Sequence, residues 1–144
     1  MAQLWTEKRV VISAGAETLA SDVAERLIVR LIRRSLAGKT SHLVLTGGNI
    51  GTDVLRAAGA HPRRAEVDWS TVHLWWGDER FLPAGLPKRN DVCARAAFID
   101  HIDIPRQNVH PLAAAGEVAD MDAAAEAYAA ELARFGDEER AWPA

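Results

Sequence analysis

Two short runs carry residues whose types and spacing could act on an anion. The first, TGGNIG at residues 46–51, sets Thr46, Gly47 and Gly48 directly after an apolar run and just before a helical pattern. Adjacent glycines leave backbone N–H groups uncovered, and a helix starting beside them adds positive potential at its N-terminus. A phosphate or carboxylate suits such a corner. A tight strand-to-helix turn alone would also ask for glycine, so by itself the run leaves both readings open. No Lys-Ser/Thr pair follows it and its spacing is not GxGxxG, which points away from a nucleotide and toward a small phosphorylated metabolite. The second run is WWGDER at residues 75–80. The planar fork of Arg80 could grip an oxyanion or phosphate, with a neighbouring carboxylate holding it in place. An exposed acid–base cluster in a loop is the plainer alternative.

Both runs sit where strands should end. HLVLT at 42–46 and Thr71 to Trp76 are apolar β-type runs, the latter apolar on both alternations as in a parallel strand covered on both faces. RVVISA at 9–14 reads as an earlier strand. From Glu17 to Leu36 the residues Ala20, Val23, Ala24, Leu27, Ile28, Leu31 and Ile32 recur at helical spacing, with Gly38 as a stop. Arg30, Arg33 and Arg34 lie in the last turns of that helix, where the dipole favours cations, so no basic docking patch is needed to explain them. Further helices are expected to about Ala58, from Asp91 to about Ile99, and from Met121 to Phe135, with a short strand around Asn108 to His110. This alternation predicts an α/β fold: an open, mostly parallel, Rossmann-like sheet with helices on both faces, in one domain spanning 1–144. Ligands bind such sheets beyond the carboxyl ends of the strands, and consecutive strands usually lie side by side. Both runs should therefore open onto one crevice.

Composition narrows the function classes. Of 144 residues, 49% are hydrophobic and 26% charged, enough to bury a core, and the net charge of −3 argues against nucleic-acid binding. No long apolar run suggests a signal peptide or membrane span. The single cysteine, Cys93, matches no zinc spacing and fits a reducing, cytoplasmic setting as inert packing. Trp75 and Trp76 read as core. His42 and His73 lie at the wrong end of their strands for catalysis and read as structural, His61 and His101 as solvated. His110 is a minor candidate because it ends a strand on the favourable side.

Together these residues resemble the 6-phosphogluconolactonase family, in the wider group that also holds glucosamine-6-phosphate deaminases. The matches are TGG-x-x-G, the block VDWSTVHLWWGDERFLP, Asn90 opening the next helix, and IPRQNVHPL, in order over about residues 40–112. The deaminase branch usually carries a DEY-type sequence where this chain has Asp78-Glu79-Arg80, which favours the lactonase branch. Asn49-Ile50 departs from the Ser/Thr and Pro of many relatives. The resemblance implies hydrolysis of 6-phospho-glucono-1,5-lactone to 6-phosphogluconate, in the oxidative pentose phosphate pathway, with neither metal nor cofactor. It implies Thr46, Gly47 and Gly48 as the substrate cradle, Asp78 and Arg80 at the reacting end, and Asn90 nearby; Asn49, within the same loop, is a further substrate-binding candidate.

The family's catalytic histidine lies in a motif like GxGPDGHxASLFP, and nothing like it occurs here. Attack of water on a lactone carbonyl wants a base with a pKa near neutrality, and no histidine of this sequence is convincingly placed to be one. The pattern also calls for a returning strand where the sequence reads RAWPA. The expectation is therefore an N-terminal portion of a lactonase with little activity of its own and an exposed sheet edge through which chains could self-associate. A sugar-phosphate isomerase or deaminase, and a non-catalytic sugar-phosphate-binding module, are the alternatives.

Overall fold

A computed structural model describes residues 10–136. Four helices and two strands follow in the order α1 (Ala16–Leu36), β1 (Ser41–Leu45), α2 (Asn49–Gly59), β2 (Val72–Trp76), α3 (Asn90–Ala97) and α4 (Met121–Phe135). Short 3-10 turns at Arg64–Glu66, Trp69–Thr71, Ile99–His101 and Arg106–Asn108 complete the path. β1 and β2 pair in parallel, with Ser41 opposite Val72 and Leu45 opposite Trp76. A parallel pair needs a crossover, and α2 with its connecting turns supplies it.

Alternation along the strands divides the residues between two faces. Leu43, Leu45, Val72, Leu74 and Trp76 join Ile28, Leu31 and Ile32 of α1, Leu55 and Ala58 of α2, and Ala94 and Ala97 of α3 in one core. Trp69 and Phe98 close that core edge to face, ring centres 5.6 Å apart. His42, Val44, His73 and Trp75 take the other face, where Phe135 of α4 meets the rings of His42, His73 and Trp75. α4 also reaches the outer edge of β2. The Tyr128 hydroxyl accepts from Trp76 N–H at 2.8 Å and donates to Trp76 C=O at 2.9 Å, filling the place of a further strand.

The α1 stop matches its sequence signal. Gly38 has φ 65°, Gly38 N–H donates to Ser35 C=O, and Lys39 N–H donates back to Arg34 C=O. This closes the last turn in the manner that favours glycine. Two strand expectations need correcting. Residues 10–14 form no strand, and Val10 and Ile12 are 83% and 92% exposed; Arg9 lies outside the described residues. A β-branched run acquires strand structure only with a partner ladder, and among the described residues none reaches it. The strand expected at 108–110 shrinks to a single bridge between Leu74 and Val109, with His110 N–H donating to Leu74 C=O at 2.9 Å. Arg106–Asn108 turn as a 3-10 helix after Pro105 instead. The helix expected to Ile99 stops at Ala97, because Phe98 leaves helical geometry at φ −142°. RAWPA lies outside the described residues.

Candidate active site

The carboxyl ends of β1 and β2 lie side by side, and the ladder runs one residue further, with Gly77 N–H donating to Leu45 C=O at 3.0 Å. Beyond Leu45 the chain turns through Thr46, Gly47 and Gly48 into α2. Gly48 has φ 84° and ψ 168°, a region essentially reserved for glycine. Gly47 is required for space: a Cβ there would be driven into Asn90 Oδ1. No side chain caps the N-terminus of α2 and its first turn holds no acid, so the positive end of the helix is uncancelled. Thr46, Gly48 and Asn49 are exposed around it.

Asn90, the first residue of α3, is the hub. Its Nδ2 donates to Asp78 C=O at 3.1 Å, and its Oδ1 lies 3.5 Å from Arg80 Nη1 while packing over Gly47. Arg80 Nη1 also donates to Lys88 C=O at 2.7 Å. The structure thus brings Gly47, Arg80, Asn90 and the Asp78 backbone together. The Asp78 side chain itself stays exposed, so it is the Asp78 carbonyl that belongs to the hub. Arg80 additionally lines a cavity of about 80 Å³ with Leu112, Ala113 and Met121, in which the double-glycine corner has no part. Among the described residues the corner and the guanidinium share no cavity and are linked through Asn90, which each approaches. Chemically, this strand-end surface offers N–H dipoles and a fixed cation to an anionic group, with one free carboxylate beside them.

The carboxylate expected to hold Arg80 is Glu79, which the sequence did not mark out from Asp78, and Arg89 was not anticipated at all. The Glu79 carboxylate accepts from Arg80 N–H at 2.7 Å, Asn90 N–H at 2.7 Å and Asp91 N–H at 2.8 Å. The Arg89 guanidinium, fully buried, donates to the carbonyls of Arg80, Leu82 and Leu112 and to Asp91. The available signal was the position of each: Glu79 lies three residues past the end of β2, and Arg89 immediately precedes α3.

The histidines gather elsewhere. His73 Nδ1 lies 3.0 Å from His110 Nε2, and His110 Nδ1 lies 3.1 Å from Glu131 Oε1 of α4. His42 stacks on His73 at 5.0 Å and Trp75 on His110 at 3.9 Å. Burial pushes all three imidazoles below their ordinary value, neighbouring imidazoles add to this for His42 and His73, and Glu131 opposes it for His110. His73, His110, Glu117, Glu131 and Arg134 line a cavity of about 700 Å³ on this face. His110 therefore ends no strand: it sits beside the middle of β2, and its ring turns to Glu131 of α4. His61 binds Glu25 and His101 binds Ala96 C=O, beyond the far ends of α2 and α3. Among the described residues no cluster of three His, Cys, Asp or Glu could hold a metal ion, and no helix is long and apolar enough to cross a membrane.

Comparison with known proteins gives a consistent family. A family profile described as glucosamine-6-phosphate isomerases/6-phosphogluconolactonase matches residues 14–143. The 6-phosphogluconolactonase of Streptomyces coelicolor is 40% identical over 127 residues, covering 87% of this chain and 49% of the relative. That of Mycobacterium leprae is 39% identical over 135 residues, covering 92% and 51%. Among solved structures, the crystal structure of a devB protein superposes with TM-score 0.73 at 27% identity, covering 86% of this chain and 51% of that one. The chain spans about half the length of the curated relatives it matches.

Proposed function

This chain belongs to the glucosamine-6-phosphate isomerase/6-phosphogluconolactonase family, and from that premise we propose that it carries the substrate-holding portion of a 6-phosphogluconolactonase. The reaction is hydrolysis of 6-phospho-D-glucono-1,5-lactone. Water adds to the C1 carbonyl, the ring C1–O5 bond breaks, and O5 takes up a proton to give 6-phosphogluconate. The observation that carries the reading is the convergence of Arg80 and Gly47 on Asn90, at the mouths of two adjacent parallel strands.

In this reading the amides of Thr46 to Asn49 and the dipole of α2 cradle an anionic end of the substrate. Arg80 stabilises negative charge developing on the carbonyl oxygen, a role worth most when the cation is fixed in advance. Asn90 orients Arg80, and the Asp78 carboxylate positions the sugar or a partner group. No described histidine stands at this surface, so the general base comes from a segment corresponding to the rest of the relatives' length. Residues 1–144 are then the N-terminal portion of the lactonase domain. The sheet would continue past the outer edge of β1, where Val44 is 57% exposed beside an apolar groove of about 300 Å³ lined by Val23, Leu27, Leu43, Ile50 and Val54. A chain lacking that continuation would self-associate there. The lone thiol of Cys93 suits a reducing cytoplasm.

Turnover of freshly made lactone above its spontaneous hydrolysis tests the proposal, with the 144 residues alone and joined to the remaining family length. The short chain should bind 6-phosphogluconate and turn over little lactone, and the extended chain should be active. Full activity from 144 residues would overturn the division of labour. Ammonia release from glucosamine 6-phosphate without lactone opening would overturn the substrate.

A further inference from the structure

Resting on the phosphosugar reading above, we propose that Glu79 and Arg89 are a positioning pair that sets the pose of Arg80 and Asn90 over the double-glycine corner. Both side chains are shut away from solvent, at 1% exposure for Arg89 and 2% for Glu79, with Arg89 Nη2 3.8 Å from Glu79 Oε2. Both polar main-chain groups of Arg80 bond this pair, the carbonyl accepting from Leu82 N–H at 2.9 Å as well. The Arg80 N–H donates to Glu79 Oε1 at 2.7 Å, and its carbonyl accepts from Arg89 Nη1 at 3.2 Å. The same Oε1 accepts from Asn90 N–H at 2.7 Å. One carboxylate therefore ties the residue that carries the guanidinium to the residue that carries the facing amide.

Arg89 completes the clamp. Its remaining donors take Leu82 C=O at 3.3 Å, Leu112 C=O at 2.9 Å and Asp91 Oδ1 at 2.9 Å. The Lys88 carbonyl that anchors the Arg80 side chain is one peptide away, so Arg89 also places the acceptor for the guanidinium it supports. A rigid, planar set of five N–H groups can serve several acceptors at once, whereas an ammonium on a flexible stem cannot. Net stability is a poor reason to keep such a pair, since apolar residues of similar volume often match or exceed a buried ion pair. Fixed geometry is the better one. Neither residue touches substrate in this arrangement; both act through Arg80 and Asn90.

Arg89→Lys and Glu79→Gln test this, with Ile28→Val in the distant α1 core as a destabilised reference. The NMR order of the Arg80 Nε–Hε group is measured without ligand, and 6-phosphogluconate affinity by calorimetry at a temperature where each variant is folded. Both variants should loosen the Arg80 guanidinium and weaken binding by roughly tenfold to a hundredfold, the scale expected for about 1 Å of misplacement. Ile28→Val should lower the melting temperature and change neither. If Arg89→Lys fails to fold, Glu79→Gln, which keeps a carbonyl acceptor, carries the test. Variants that lose only thermal stability, with wild-type guanidinium order and affinity, would overturn the proposal. Failure of the wild-type chain to bind 6-phosphogluconate would instead strike the phosphosugar reading, and the ligand-free order measurement would still decide the positioning role.

Discussion

The same two strands support two polar interiors built on opposite rules. At their carboxyl ends, Glu79 and Arg89 sit inside the protein among backbone groups, with nearly every donor and acceptor matched. On the face under α4, His42, His73 and His110 stack on one another and on Trp75, and burial pushes each toward its neutral form. Desolvating a charge is costly unless its partners are complete, so the first region assembles partners and fixes a geometry. An imidazole can escape the cost by giving up its proton. The first arrangement is suited to holding a site still. The second is expected to make the seating of α4 respond to pH.

Removing Arg89 should be the most damaging change. Arg89→Met leaves the Glu79 and Asp91 carboxylates without their cation and Leu112 C=O without its donor, and a cost of about 3–5 kcal/mol is expected from breaking one side of a buried pair. Denaturant unfolding measures it. A cost below about 1 kcal/mol, the general size of an exposed ion pair, would mean the charges are not organising this end, and the contrast would disappear. Gly47→Ala comes next. Its methyl group would overlap Asn90 Oδ1, and Asn90 cannot retreat without losing Asp78 C=O, so about 1–3 kcal/mol should be lost, as in overpacked cores. Phosphogluconate binding should weaken alongside. A Gly47→Ala variant with unchanged stability and binding would show that Asn90 is free to move.

How much of this was legible depends on how far apart the determining residues are. The TGGNIG corner could be read directly, because a positive φ at Gly48 and a steep turn into α2 are demands of a few consecutive residues. β2 and its WWGDER end were legible for the same reason. Glu79 and Arg89 were not: they are ten residues apart across a loop, and only the folded path shows that both end on the Arg80 main chain. The imidazole group draws on positions 42, 73 and 110 and on Glu131, from four separate segments, so each histidine looked solitary in the sequence. His110 was expected to end a strand, but it follows a single bridge beside the middle of β2, and its ring faces Glu131. The run at 9–14 fails for a related reason. Its composition suits a strand, but strand structure belongs to a pair.

The face under α4 is expected to respond more mildly than the strand ends. Only Ala124 of α4 is buried, so few apolar contacts hold this helix and polar ties matter. Tyr128→Phe removes the hydroxyl that satisfies both polar groups of Trp76 at the sheet edge, at about 1–3 kcal/mol for the groups left unpaired. Hydrogen exchange should show that loss as faster exchange along α4 and at Trp76. Unchanged protection would mean that Glu131 and Phe135 hold the helix without it.

Proton uptake by the imidazoles should have the smallest effect, because water partly reaches His42 and His73 and screens them. Their folded values lie below the ordinary 6.5, so as pH falls through that value the unfolded chain binds protons that the folded chain resists. Stability is then complete above pH 6.5 and declines below it, levelling off once the folded imidazoles are also protonated. The charge of Arg34 disfavours the His42 proton and that of Arg134 the His110 proton, while Glu131 favours protonation of His110. Replacing His73 with Gln should flatten the decline between pH 7 and 5.5, because it removes the middle ring of the stack. Glu131→Gln should steepen it, because it removes the counter-charge. α4 amides should lose protection over this interval before those of α1. Parallel loss in both helices, or a slope unchanged in His73→Gln, would place the proton-sensitive groups elsewhere and leave the strand-end charge pair without its counterpart.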